Sequence, residues 1–109
     1  MLLNVLDSAG VAQKVIVASQ EAIVDHSGSI ASTGVAQTAI AANALRSGFF
    51  IQNKGANPMY VNELGAATNG AGSFTIAPGA SFPPAGYPIS TGALSILGTA
   101  ADIFTAREW

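Results

Sequence analysis

Gly48-Phe-Phe-Ile-Gln-Asn53, Lys54-Gly-Ala-Asn-Pro58 and Met59-Tyr-Val-Asn-Glu-Leu64 follow one another directly, and their reading decides the fold class. Phe49 and Ile51 fall on one face of the first run. Met59, Val61 and Glu63 share a face of the third, with Tyr60 opposite. A period of two is the period of a strand, because successive side chains point to opposite sides of a pleated backbone. The middle run carries Gly and Asn-Pro, residues that turn a chain. Two alternating runs around such a loop predict a β-hairpin.

Downstream the pattern continues. Ser73-Phe-Thr-Ile-Ala77 alternates, with Phe74 and Ile76 expected inward and Ser73 and Thr75 outward, and Pro78-Gly79 stops it. Phe82-Pro-Pro-Ala-Gly-Tyr-Pro88 cannot be a central strand, since each Pro lacks a ladder donor. Ala93-Leu-Ser-Ile-Leu97 and Asp102-Ile-Phe-Thr-Ala-Arg-Glu-Trp109 give two closing strands around Gly98-Thr-Ala-Ala. Upstream, Lys14-Val-Ile-Val-Ala18 and Ala22-Ile-Val-Asp25 have strand chemistry. The alanines of Val35-Ala-Gln-Thr-Ala-Ile-Ala-Ala-Asn-Ala-Leu45 suit a helix. Its alternation and its bracketing by Gly34 and Gly48 favour a strand running into a turn at Asn43. Ser8-Ala-Gly-Val-Ala-Gln13 recurs as Ser32-Thr-Gly-Val-Ala-Gln37, either by chance or as one turn-into-strand element used twice in a sheet. Short strands at this spacing predict an all-β protein, a single antiparallel β-sandwich. Residues 1–30 are read as an N-terminal strand or arm segment and 31–109 as the body of one domain.

Composition narrows the function. The 109 residues are 50% hydrophobic and only 9% charged, against about 25% charged in a typical globular protein. Such a chain is not disordered. It also has few charges to keep a free monomer soluble, which suits a surface covered by neighbours. The net charge is −2, and the basic residues Lys14, Arg46, Lys54 and Arg107 are scattered. Nucleic-acid binding needs a basic patch to replace counterions, so no nucleic-acid partner is expected. With no Cys there is no disulfide, thiolate metal site or Cys nucleophile. The start Met1-Leu-Leu-Asn-Val-Leu-Asp7 has no basic n-region, and no run approaches the ~20 apolar residues of a membrane helix. A soluble protein made in the cytosol, without an export signal or membrane contact, is expected.

Catalytic constellations are missing from the sequence. His26 is the single His, and its neighbours Asp25 and Ser27 would point away from it on a strand, which a Ser-His-Asp triad forbids. The six acidic residues never cluster at metal-ligand spacing. Gly65 and Gly70 have the first spacing of a phosphate loop, but Ala71-Gly72 stands where its Lys and Ser/Thr belong, leaving a flexible loop. No catalytic, cofactor or metal residue is assigned, no cofactor is expected, and the chain is read as not an enzyme. Contact chemistry is present instead. Trp109, beside Arg107, either plugs the core or anchors a partner, Trp and Arg being enriched at interface hot spots. Phe82 and Tyr87 sit in the rigid proline loop. Leu2, Leu3 and Val5 make an apolar end that forms an edge strand or an arm added to a neighbour's sheet. These seven residues are the candidate interface.

Arg46-Ser-Gly-Phe-Phe-Ile-Gln-Asn53, Gly55-Ala-Asn-Pro-Met-Tyr-Val61, Ala77-Pro-Gly-Ala-Ser-Phe82 and Thr91-Gly-Ala-Leu-Ser-Ile96 together resemble a set of small tailed-bacteriophage virion proteins of the capsid decoration or cement type. The resemblance covers about residues 35 to 109, and it lies in the order of the pieces. It implies a jelly-roll-like sandwich on the outer capsid surface, often a homodimer, that bridges subunits of the major capsid protein and neighbouring copies of itself. No catalytic residue is carried over. Two alternatives stand beside it: a phage tail, neck or fibre-attachment subunit, and a glycan-binding adhesin module, the latter disfavoured by the scarcity of aromatic residues.

Overall fold

Alternation becomes pairing in the computed structural model, which describes residues 2–6, 12–16 and 22–109. Every regular element among them is a strand, and all pairings are antiparallel. Strands β1 (Leu2–Leu6) and β2 (Ala12–Ile16) form a hairpin in which Leu2 lies opposite Ile16 and Leu6 opposite Ala12. The remaining strands make two sheets. One has four strands in the order β5 (Gln37–Ile40), β10 (Leu94–Leu97), β7 (Met59–Asn62), β8 (Phe74–Ile76). The other has the order β3 (Val24–Asp25), β11 (Ile103–Glu108), β6 (Phe49–Asn53), β9 (Ser81–Phe82), with β4 (Gly28–Ser29) also on β11.

Both sheets contribute to one core. Ile40, Met59, Val61, Ile76, Leu94 and Ile96 come from the four-stranded sheet. Phe49, Ile51, Phe82, Phe104 and Ala106 come from the other, and Ile30 joins them from the turn after β4. Two antiparallel sheets around a shared apolar interior are consistent with a β-sandwich. The inward and outward positions of β6, β7 and β10 follow the period-two pattern of the sequence.

The partners do not follow the hairpin expectation. β6 pairs with β11 and β9, whereas β7 pairs with β10 and β8, so residues 54–58 arch from one sheet to the other. Residues 98–102 arch likewise between β10 and β11. Alternation states which face is buried, and an arch or a hairpin satisfies that equally. Asn53, fully buried, selects the arch. Its Nδ2 donates to the carbonyls of Asn57 and Ile76, both at 2.8 Å, and its Oδ1 accepts from Gly55 N–H at 2.8 Å. Gly55 completes the corner, because a Cβ there would lie 2.6 Å from Asp102 Cβ.

Other expectations shift in detail. The strand reading of residues 35–45 holds for β5, and the turn follows at Asn43, whose carbonyl accepts from Arg46 N–H at 3.1 Å. A bulge between Leu94 and Ser95 breaks strict alternation, so Ala39 and Ile40 are both buried. Phe74, expected inward, is 43% exposed, because β8 is an edge strand that ends against the Phe82 and Tyr87 rings. β3 and β4 hydrogen-bond to β11 and Ile30 is core, so residues 24–30 are built into the sandwich although the sequence reading grouped them with the arm. Of the repeated hexapeptide, Ala12-Gln13 opens β2 and Gln37 opens β5, in different sheets, with residues 8–11 outside the described set.

Candidate interaction surfaces

The outward side of each sheet has its own chemistry. β5, β10, β7 and β8 contain no charged residue. Their outward positions are neutral, with Thr38 opposite Ser95, Ser95 opposite Asn62, Leu97 opposite Tyr60 and Tyr60 opposite Thr75. The small-residue loop of residues 65–72, expected to be flexible, lies over this face. Ala67 is buried there and its N–H donates to Ser95 Oγ at 2.9 Å. Asn62 holds both arms of the loop start, accepting from Leu64 N–H at 2.8 Å and donating to Ala66 carbonyl at 3.3 Å. The loop thereby divides the face into two open clefts. One, of about 560 Å³, has Tyr60 and Leu97 among its lining; the other, of about 530 Å³, has Thr38 and Ser95. Periodicity carries no sign of this arrangement, since it depends on a hydroxyl 28 residues away.

The second sheet presents aromatic and basic groups. Arg107 lies opposite Phe50 on one side and Asp25 on the other, and Phe50 is a partly exposed, outward position of β6. The Trp109 ring covers Gly48 so closely that a Cβ there would be 2.5 Å from it. Trp109 is also tied to Gly48 by its backbone in both directions at 3.0 Å, while remaining 38% exposed. Its ring covers the end of the β6–β11 ladder and is not part of the core cluster. Of the seven candidate residues, Arg107 and Trp109 thus share one region with Phe50, to which the sequence reading gave no role. Phe82 is 3% exposed and belongs to the core, which corrects its reading as an accessible contact. Tyr87 is partly buried, 5.4 Å from the Phe82 and Phe74 rings, and its hydroxyl donates to Glu63 at 2.6 Å. That bond to a carboxylate, with burial second, pushes the phenol above its ordinary value. Leu2, Leu3 and Val5 lie on β1, and their side chains are outside the described residues.

Asp25 accepts from Ser27 Oγ at 2.6 Å and from Arg107 Nε at 2.9 Å, and these bonds, the serine's first, hold its carboxyl below the ordinary 3.8. A lowered native value stabilises the fold above the unfolded value and loses that contribution as pH falls through the native one. The stability advantage of the wild type over Asp25→Asn is therefore expected in full above 3.8 and to fade below it. Urea midpoints of the two proteins between about pH 2 and pH 7 measure this. An advantage that grows on acidification would contradict it.

His26 lies in the link between β3 and β4, apart from the Asp25–Ser27 hydrogen bond, and meets a cluster the sequence did not suggest. Its Nε2 is 3.2 Å from Glu108 Oε2, without the alignment of a hydrogen bond. Glu108 is buried with Asn43 donating to Oε1 and Arg46 Nη2 3.5 Å from Oε2. The Arg46 side chain, wholly unexposed, donates to the carbonyls of Ser90, Gly92 and Ala41 at 2.6, 3.0 and 2.7 Å. Three of its five N–H groups go to backbone carbonyls and the buried Nε meets no partner, so the cluster works as a bracket between loops. Among the described residues no three His, Cys, Asp or Glu side chains gather in a metal-holding group, and no helix is long and apolar enough to cross a membrane.

No protein-family profile, curated protein or solved structure matches this chain.

Proposed function

We propose that this chain is a structural virion protein that decorates and cements a bacteriophage capsid by bridging subunits of its major capsid protein. The observation that carries the reading is the four-stranded sheet without a charged strand residue. Uncharged strands are cheap to desolvate, and Glu63, which lines the smaller cleft on this face, already accepts a hydrogen bond from the Tyr87 hydroxyl. On the opposite sheet, Phe50, Arg107 and Trp109 supply the side-chain types that dominate interface energetics. With two usable faces, one copy can touch two neighbours. In this reading the sandwich is jelly-roll-like, the first residues act as an arm toward a neighbouring subunit, and copies pair as homodimers. The protein is made in the host cytoplasm, acts on the outer capsid surface, and has a mechanical role with no reaction centre. Many contacts of ~1,600 Å² repeated over a lattice resist internal pressure without strong single bonds.

Purified protein added to expanded empty shells that lack it is expected to co-sediment with them at a stoichiometry set by the shell lattice. Coated shells then rupture at a higher temperature than bare ones. Trp109→Ala should weaken shell binding about 30-fold, the effect of removing an aromatic anchor worth ~2 kcal/mol, with the folded state retained. Unchanged rupture temperature, or no co-sedimentation, overturns the proposal.

A further inference from the structure

The larger cleft on the neutral sheet has features that coating a partner does not require. Its floor is the ring of Tyr60 beside Leu97, which face each other across the β7–β10 ladder, and Pro58 closes one end. Its walls carry Thr68, Asn69 and Thr99. Apart from the Tyr60 phenol, no ionisable side chain lines it. Asn57, at the same end, is already committed to Asp102 Oδ2 at 3.1 Å. The hydroxyls of Tyr60, Thr68 and Thr99 and the Asn69 amide, by contrast, make no hydrogen bond among the described residues. The backbone of β7 and β10 is paired within the sheet at this point, leaving no free strand edge inside the cleft for a peptide to extend.

We infer that this cleft binds a neutral saccharide. The ligand must be uncharged, because a carboxylate or ammonium group would lose hydration with no countercharge to meet it. It must also be rich in hydroxyls, because a purely apolar guest would strand four neutral donors and acceptors away from water. A pyranose offers both surfaces, C–H groups for the Tyr60 ring and hydroxyls for the threonines and the amide. The cleft volume of about 560 Å³ lies in the range of small-molecule sites. It is open on one side, so affinity is weak, with Kd on the order of 1 mM. The inference goes beyond the cementing role and concerns the free chain, in which this face is uncovered and the site is complete on one copy.

The ¹⁵N-labelled full chain titrated with methyl glucoside, methyl galactoside, N-acetylglucosamine, maltose, lactose and chitobiose tests it. N-acetylneuraminic acid and acetyl-Pro-Leu-amide serve as charged and peptide comparators. At least one neutral sugar is expected to move the amide signals of Tyr60, Thr68, Asn69 and Thr99 saturably, at concentrations where neither comparator does. Tyr60→Leu, which keeps an apolar floor, should weaken that sugar about tenfold, while Trp109→Ala on the other sheet leaves it unchanged. Asn69→Ala, on an exposed loop, gives a second weakened variant should Tyr60→Leu fold poorly. The inference is overturned if no neutral sugar shifts these signals, if either comparator binds there as well, or if neither variant weakens binding.

Discussion

Replacing Arg46 with Ala is expected to remove about 3–5 kcal/mol of unfolding free energy, the cost of breaking a buried charge pair from one side. In a small domain with 5–15 kcal/mol in total, that is close to unfolding. The guanidinium is wholly unexposed and holds three backbone carbonyls, one from residue 41 and two from residues 90 and 92. Its loss leaves those carbonyls without a donor in a place water does not reach. It also removes the guanidinium that lies 3.5 Å from the buried carboxylate of Glu108. Lys is not a substitute, because a single ammonium cannot fork toward carbonyls on two sides as a planar guanidinium does. Arg46→Lys should therefore recover less than half of the loss. Urea titrations with an unchanged m value measure both changes. A loss below about 1 kcal/mol for Arg46→Ala would mean that these carbonyls are hydrated after all.

The sequence made the faces legible, but not the sheets. Phe49 and Ile51, Met59 and Val61, and Leu94 and Ile96 are buried in alternation because a two-residue period says which side of a strand is dry whatever the strand's partner. Partner choice is settled by Asn53 and by the room at Gly55, neither of which differs in type from an ordinary hairpin turn residue. Likewise Phe82 sits among prolines that announce a loop, yet the ring turns back into the core.

The candidate surfaces divide along the same line. Trp109 and Arg107 were recognisable by residue type alone. Tyr60 was visible only as the outward side of its strand and Phe50 was not singled out, and what gives them meaning lies elsewhere in the chain. For Phe50 it is the ladder to Arg107, and for Tyr60 it is the loop of residues 65–72 with Ala67 seated on the sheet. A run of Gly, Ala, Thr and Asn without periodicity reads as loose chain, since the Ser95 hydroxyl that fastens it is not a local signal.

Asn53→Asp should be the more damaging of two changes at the arch, costing about 3–5 kcal/mol against about 2–3 kcal/mol for Asn53→Ala. The two side chains of the first pair have nearly the same shape, so packing does not separate them. Hydrogen-bond polarity does. Nδ2 of Asn53 donates to the carbonyls of Asn57 and Ile76, and an aspartate oxygen in that place would face two acceptors with none of its surface exposed. Only the bond from Gly55 N–H survives the exchange. Ala loses all three bonds but buries no charge. Ile76 belongs to the sheet opposite Asn53, so either change unfastens the two sheets at the corner where the chain crosses between them. The aspartate's native pKa would be raised, and its penalty then shrinks as pH falls through that raised value, where the folded protein takes up the proton first. Thermal unfolding of both variants at neutral and acidic pH reads this directly: the gap between them narrows on acidification. Equal losses at both pH values would mean that the corner opens enough to hydrate a carboxylate, and that the arch is held by Gly55 and the core alone.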